Sequence, residues 1–220
     1  MIIAIDGPAG SGKSTTARCL ADKLNIVHIN TGSMYRAIAL KCINANVDVS
    51  NQPDLEKLLG DTYIKFDDNS PESLYMDGLD VSLEIRSSRV TEFVSLVSSI
   101  KIVRETLVKY QRQIASNIDV VLEGRDIGTA VFPNADYKFF LVADIRERAS
   151  RRKIELESKK INSVSLDDMI LEISERDRMD STRKYSPLKK AEDAIEIDTT
   201  GLTINQQVDS IVSIINKTNK

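Results

Sequence analysis

Residues 7–14 read Gly7-Pro8-Ala9-Gly10-Ser11-Gly12-Lys13-Ser14, a full match to G-x-x-x-x-G-K-[ST]. The loop directly follows an apolar run, Ile2–Ile5. It directly precedes Ala17, Leu20, Ala21 and Leu24, which share one face of a helix. Strand, glycine loop and helix in that order predict a parallel α/β sheet with an anion site at its carboxyl edge. Glycines let successive N–H groups turn inward around phosphate oxygens. Lys13 is expected to reach the β- and γ-phosphates of ATP, and the Ser14 hydroxyl to coordinate Mg²⁺. Thr15 completes the set of nucleotide-binding candidates that begins at Gly7.

The remaining chain carries the alternation that such a sheet needs. Further strands are expected at Ile26–Ile29, Val120–Leu122, Tyr137–Val142 and Ala194–Ile197, all nearly continuously apolar. Between them, 90–115 carries a helical stripe (Val90, Phe93, Val94, Val97, then Leu107, Val108, Ile114, Ala115). Residues 204–215 read as a closing helix after the breaker Gly201. The fold class is therefore α/β, with a doubly wound parallel sheet.

Two stretches depart from this rhythm. Residues 44–84 hold ten acids and only two bases, Lys57 and Lys65, with Pro53 and Pro71. Apolar residues stay regularly spaced there, and short strands at 63–66 and 74–76 flank an Asp-Asn-Ser-Pro turn. An inserted subdomain is expected rather than a linker. Later, seven of the fourteen arginines fall between Arg146 and Arg183. They read equally well as a phosphate clamp and as an exposed helix laced with ion pairs.

Composition removes several classes of function. The 220 residues carry 30 Lys+Arg against 33 Asp+Glu, a net charge of −3, which argues against nucleic-acid and polybasic membrane partners. No apolar run spans a bilayer, and the N-terminus reaches Asp6 without a basic region, so a cytoplasmic protein is expected. Two cysteines (Cys19, Cys42) and one histidine (His28) do not make a thiolate or imidazole metal cluster. His28 reads as a strand-end or core residue. No apolar seam stands out, so a monomer is the default. The guanine-reading N-K-x-D motif and the L-S-G-G-Q signature are absent, and the chain is short for a motor. A small kinase remains, in which an acceptor must meet the γ-phosphate.

Two segments at strand ends face where an acceptor would lie. Thr31-Gly32-Ser33-Met34-Tyr35-Arg36 follows the second strand and reads either as a phosphate-holding turn or as a capped helix start. Glu123-Gly124-Arg125-Asp126-Ile127-Gly128-Thr129 follows the third, continued by Val131-Phe132-Pro133. With Ile5 to Ser14, Arg148-Ala149-Ser150-Arg151-Arg152 and Glu175-Arg176-Asp177, these motifs give the whole chain its resemblance. It resembles the bacterial cytidylate kinases, the (d)CMP kinases of the nucleoside monophosphate kinase superfamily.

The resemblance implies a single P-loop kinase domain over 1–220 in three layers, with a five-stranded parallel core. It implies a monophosphate-binding insert at 44–86 and a short lid at 146–160. By the same resemblance Thr31, Arg36, Arg125 and Arg183 hold the acceptor phosphate. Ser95, Arg104 and Asp126 read the cytosine edge, and Arg176 and Asp180 hold the ribose. Lys13, Arg125 and Arg183 are the implied catalytic set. Glu123 departs from the pattern, standing where an Asp would order the waters of Mg²⁺, and its longer side chain is expected to do this through water.

The implied activity is transfer of the γ-phosphoryl group of ATP to CMP or dCMP, with Mg²⁺ and closure of lid and insert against water. A kinase for another acceptor, such as UMP, AMP or shikimate, is the nearest alternative. An ATP-dependent switch or binding protein is the alternative from another class.

Overall fold

The computed structural model describes residues 1–67, 73–158 and 164–218. The Asp-Asn-Ser-Pro turn at 68–71, with Glu72, and the last two positions of the expected lid, 159 and 160, lie outside the described residues. Two compact units divide the chain: 1–28 with 119–220, and Ile29–Ile118. The acidic stretch of the sequence falls inside the second unit.

The expected parallel sheet forms in the order β2-β6-β1-β7-β8, with β1 Ile2–Asp6, β2 Val27–Asn30, β6 Val120–Gly124, β7 Tyr137–Val142 and β8 Ile195–Asp198. β1 is central, pairing Ile2 with Val120 through to Asp6 with Gly124 on one side, and Ile3 with Tyr137 through to Asp6 with Phe140 on the other. Ile3, Ile5, Val121, Phe139 and Leu141 pack with Leu20 of α1 (Lys13–Leu24) and Ile211 of α8 (Ile204–Thr218). Burial of these side chains on the sheet fixes the end of β1, and hence the start of the glycine loop.

α6 (Ile145–Ser158) and α7 (Leu166–Thr182) complete the first unit. Ala149, Met169 and Ile173 bury against Ala9 of the loop itself.

The second unit has its own core. α2 (Thr31–Asn44), α3 (Gln52–Gly60), α4 (Ser88–Ser99) and α5 (Lys101–Ile114) gather around Met34, Ile38, Leu55, Leu74, Ile85, Val97, Val103 and Leu107. A small antiparallel sheet of β3 (Ile64–Phe66), β4 (Leu74–Met76) and β5 (Leu79–Asp80) lies with them.

Two expectations need correcting. The 90–115 stripe is not one helix. Ile100 is extended (φ −78°, ψ 128°) and separates α4 from α5. The Thr31–Arg36 segment is not a turn: α2 starts at Thr31, because the Asn30 side chain caps it by accepting from Ser33 N at 3.1 Å. The segment is a capped helix start in its backbone, with Thr31 and Arg36 in the first two turns of α2.

Candidate active site

The glycine loop has the backbone its motif demands. Gly7 has φ +147°, and a Cβ there would lie 2.2 Å from the Leu141 carbonyl oxygen. Gly12, at φ +89°, is the left-handed residue from which α1 departs. Arg148 donates to Ala9 O at 3.0 Å and also pairs with Asp177, whose Oδ1 accepts from Ala9 N at 2.9 Å. α6 and α7 thus hold the loop by its backbone. Thr199 Oγ1 donates to Ser11 O at 3.1 Å, and Arg151 donates to the Thr199 carbonyl at 2.6 Å.

Lys13 is 5% exposed and folds back onto the loop, donating to Pro8 O and to Ser11 Oγ. Burial, and then the Arg125 guanidinium, press its ammonium well below the usual lysine range. An anion among these N–H groups would relieve that pressure. Ser14 donates its hydroxyl to Glu123 Oε2 at 2.7 Å, whereas Thr15 faces solvent. Burial pushes Glu123 up, but His28, Lys13 and Ser14 outweigh it and keep its carboxyl below the ordinary glutamate range. A hydroxyl and a carboxylate at the first turn of α1 are hard oxygen donors of the kind that suits Mg²⁺.

Asp6, which sequence reasoning gave no role, organises the next loop. Its Oδ1 accepts from Ile127 N at 2.8 Å and its Oδ2 from Gly128 N at 2.7 Å. A single wide turn, Ile127–Val131, closed by a bond from Val131 N to Asp126 O, follows. Arg125 and Asp126 are thereby presented from the end of β6. Burial raises the Asp6 carboxyl to about 6 against the pull of those two N–H groups. The signal was available: an acid ending an apolar strand must find donors.

Arg125, Arg176, Asp180 and Arg183 meet in the first unit. Arg125 Nε donates to Asp180 Oδ2 at 2.8 Å, and Arg183 approaches Asp180 Oδ1 at 3.7 Å and Asp126 Oδ1 at 3.4 Å. Asp180 is buried, yet Arg125, Arg176 and Arg183 hold its carboxyl below the usual range. Arg176 is lowered to about 10, first by burial and then by the like charges of Arg125 and Arg152, and its Nε has no hydrogen-bond partner among the described residues. The two readings of the arginine-rich segment thus divide by residue. Arg151–Glu147, Arg152–Glu155 and Arg178–Glu175 are ion pairs within a helix, whereas Arg176 and Arg183 belong to this buried cluster.

In the second unit, Arg36 Nη1 donates to Ile85 O at 3.1 Å and to Thr91 Oγ1 at 2.9 Å. Arg104 is buried on α5, donates to Ser98 O at 3.0 Å and lies 5.2 Å from the centroid of the Tyr35 ring. Thr31 is buried at the start of α2 and Ser95 is half-buried on α4. Thr91 and Tyr35, which orient the two arginines, carried no signal of that work in the sequence.

The family profile described as Cytidylate kinase matches residues 3–217. The chain belongs to the cytidylate kinase family. It is 48% identical over 216 residues to the cytidylate kinase of Clostridioides difficile strain 630, covering 98% of each chain. It is 49% identical over 217 residues to that of Fusobacterium nucleatum subsp. nucleatum, covering 99% of this chain and 98% of the relative. A shikimate kinase structure from Bacteroides thetaiotaomicron superposes with TM-score 0.50 over 98% of both chains at 13% identity, a likeness of fold alone. The five-stranded parallel α/β architecture and the expectation of an ATP-dependent nucleoside monophosphate kinase both stand. No described helix is long and apolar enough to cross a membrane.

Proposed function

We propose that this member of the cytidylate kinase family transfers the γ-phosphoryl group of ATP to the 5′-phosphate of CMP or dCMP, giving ADP and CDP or dCDP. The observation that carries the reading is the pairing of a phosphate loop with Arg125, Arg176 and Arg183 around the carboxylates of Asp180 and Asp126. Buried guanidinium in excess of its acids is a site for phosphate oxygens. The acceptor is already an anionic oxygen near neutral pH, so positioning and charge stabilisation suffice without a strong base.

In this reading Lys13 and the loop N–H groups hold the donor phosphates. Arg125 and Arg183, with Thr31 and Arg36, hold the acceptor phosphate. Arg176 and Asp180 hold the ribose. Ser95, Arg104 and Asp126 read cytosine, whose amine donor and carbonyl and ring-nitrogen acceptors suit a carboxylate, a guanidinium and a hydroxyl. Uracil would set a carbonyl against Asp126. Ser14 would ligate Mg²⁺ and Glu123 would order its waters. The ion, when bound, neutralises charge on the β- and γ-phosphates. Arg152, whose charge acts on Arg176 and whose partner is Glu155 of its own helix, is the lid cation assigned to the transferring group, since Arg148 holds the loop backbone and Arg151 the Thr199 carbonyl. A cytoplasmic monomer acting on small nucleotides completes the proposal.

Chromatography after incubation with Mg-ATP and CMP tests it. ADP and CDP in equal amounts support the reading, and ADP without CDP overturns it.

A further inference from the structure

We propose that Thr199 is a positioning residue for the phosphate loop, its hydroxyl holding the Ser11–Gly12 peptide in the rotation that aims the Gly12 N–H at an anion. The proposal rests on the reading of 7–14 as the donor-phosphate site, and all its residues lie in the first unit. Thr199 immediately follows β8 and is wholly buried, as is Ser11. Its hydroxyl proton has two carbonyls within reach, Ser11 O at 3.1 Å and Val142 O at 3.0 Å. Val142 O already accepts from Thr199 N at 2.8 Å, whereas the hydroxyl is the one donor to Ser11 O among the described residues. Arg151 Nη1 donates to the same Oγ1 at 3.0 Å, and its Nη2 donates to Thr199 O at 2.6 Å. The guanidinium thus takes a lone pair of the hydroxyl and leaves its proton to a carbonyl.

The tether has a consequence on the other side of the peptide. Across a trans peptide bond the C=O of one residue and the N–H of the next point in opposite directions. A Ser11 carbonyl held toward Thr199 therefore turns the Gly12 N–H away from it. Gly12 is left-handed (φ 89°, ψ 0°) and Lys13 opens α1. A left-handed residue followed by a right-handed one makes successive N–H groups converge on an anion. The Gly12 N–H joins that concavity only in the tethered rotation. The missing Cβ that permits the left-handed backbone also makes a flip of this peptide cheap, so the loop needs an outside hold. Without the hydroxyl a flipped state fills, and apparent affinity for phosphate falls with the competent fraction. Thr16 supplies the contrast: equally buried, it donates to Gln207 Oε1 at 2.6 Å and ties α1 to α8 without touching a loop carbonyl.

The test is calorimetric titration of inorganic tripolyphosphate, which carries neither base nor ribose, without Mg²⁺. The proteins are the natural sequence, T199V, T199A, T199S and T16V. Thermal unfolding is followed for each, and the Gly12 amide is observed by NMR after ¹⁵N-glycine labelling. T199V is expected to bind tripolyphosphate roughly threefold to tenfold more weakly, the scale of one net hydrogen bond. T199A should repeat the loss, which preserves the test if T199V does not fold. T199S, which keeps the hydroxyl, should restore most of the affinity. The downfield movement of the Gly12 amide on binding should shrink in T199V and persist in T199S. T16V should lower the melting temperature and leave tripolyphosphate affinity unchanged. Undiminished affinity in T199V and T199A, an unaltered Gly12 amide response, or an equal loss in T16V would overturn the role of Thr199. Failure of the natural sequence to bind tripolyphosphate would instead overturn the donor-phosphate reading of the loop, and the proposal with it.

Discussion

Arg125 and Asp180 form a partly buried ion pair, Nε to Oδ2 at 2.8 Å, that joins the end of β6 to the last turn of α7. Neither partner belongs to the glycine loop, yet Arg125 is near enough to Lys13 to depress its ammonium. The pair sits where three guanidinium groups act on the Asp180 carboxylate, one of them also facing Asp126. Its arrangement is what a phosphate-handling site requires and what an empty core would not tolerate.

Asp180→Asn should expose that debt. Removing this carboxylate breaks the Arg125 pair and leaves the three arginines with less opposing charge, at a cost of about 3–5 kcal/mol of stability. The Asp180 carboxyl is held below its unfolded value, so its contribution is present above that value and is lost as pH falls through the depressed one. Denaturant melts from pH 7 downward should show the natural protein losing stability on the acid side and the variant losing less. Inorganic phosphate should raise the melting temperature of the variant more than that of the natural protein.

Lys13→Ala should reduce turnover by about a hundredfold to a thousandfold, the scale of a lost charge-stabilising donor. Its folded state should persist, because among the described residues the side chain bonds only to its own loop. Coupled ADP release and circular dichroism, measured together, check both halves.

Asp6 makes a prediction with the opposite sign in pH. Its carboxyl is raised to about 6 by burial, so the folded protein holds this proton more tightly than the unfolded chain. Its contribution is full below the unfolded value near 3.8 and is lost as pH rises toward 6, about 3 kcal/mol across that window. Asp6→Asn should remove this slope. It should also cost about 1–3 kcal/mol, because the amide turns an N–H toward Ile127 N or Gly128 N. Urea unfolding between pH 4 and pH 8 measures both effects.

The backbone of the loop is equally testable. Gly7→Ala places a methyl group 2.2 Å from Leu141 O, against rigid β7 backbone and at a φ that disfavours any side chain. Loss of ATP-analogue affinity with a lowered melting temperature is expected. A variant that binds normally would contradict the geometry.

The order of elements in the first unit was legible because strand and loop chemistry are local. Apolar runs bounded by Gly7 and Gly124, and a motif with fixed spacing, leave little choice of fold. The start of α2 was read ambiguously because Asn30 decides it, and a cap is visible only as a residue type until its acceptor geometry is known. The break at Ile100 was hidden, since an apolar residue there fits the helical stripe as well as it fits a kink. In the arginine-rich segment, spacing alone did not separate Arg178, spent on Glu175, from Arg176, buried beside Arg125. Partnership across 125–183 is a tertiary fact. The same holds for Thr91 under Arg36 and Tyr35 under Arg104.

Asp126→Ala should lower discrimination for CMP over UMP by about tenfold or more, the scale set by one buried polar contact. Affinity for ATP should change less. Unaltered selectivity would remove Asp126 from the base-reading set.

The central claim is acceptor identity, and kcat/KM measured with Mg-ATP across CMP, dCMP, UMP, AMP and no acceptor tests it most directly. CMP or dCMP preferred by a large factor, with the matching diphosphate and ADP formed together, is the predicted result. ADP release independent of acceptor, or a clear preference for UMP or AMP, would contradict it.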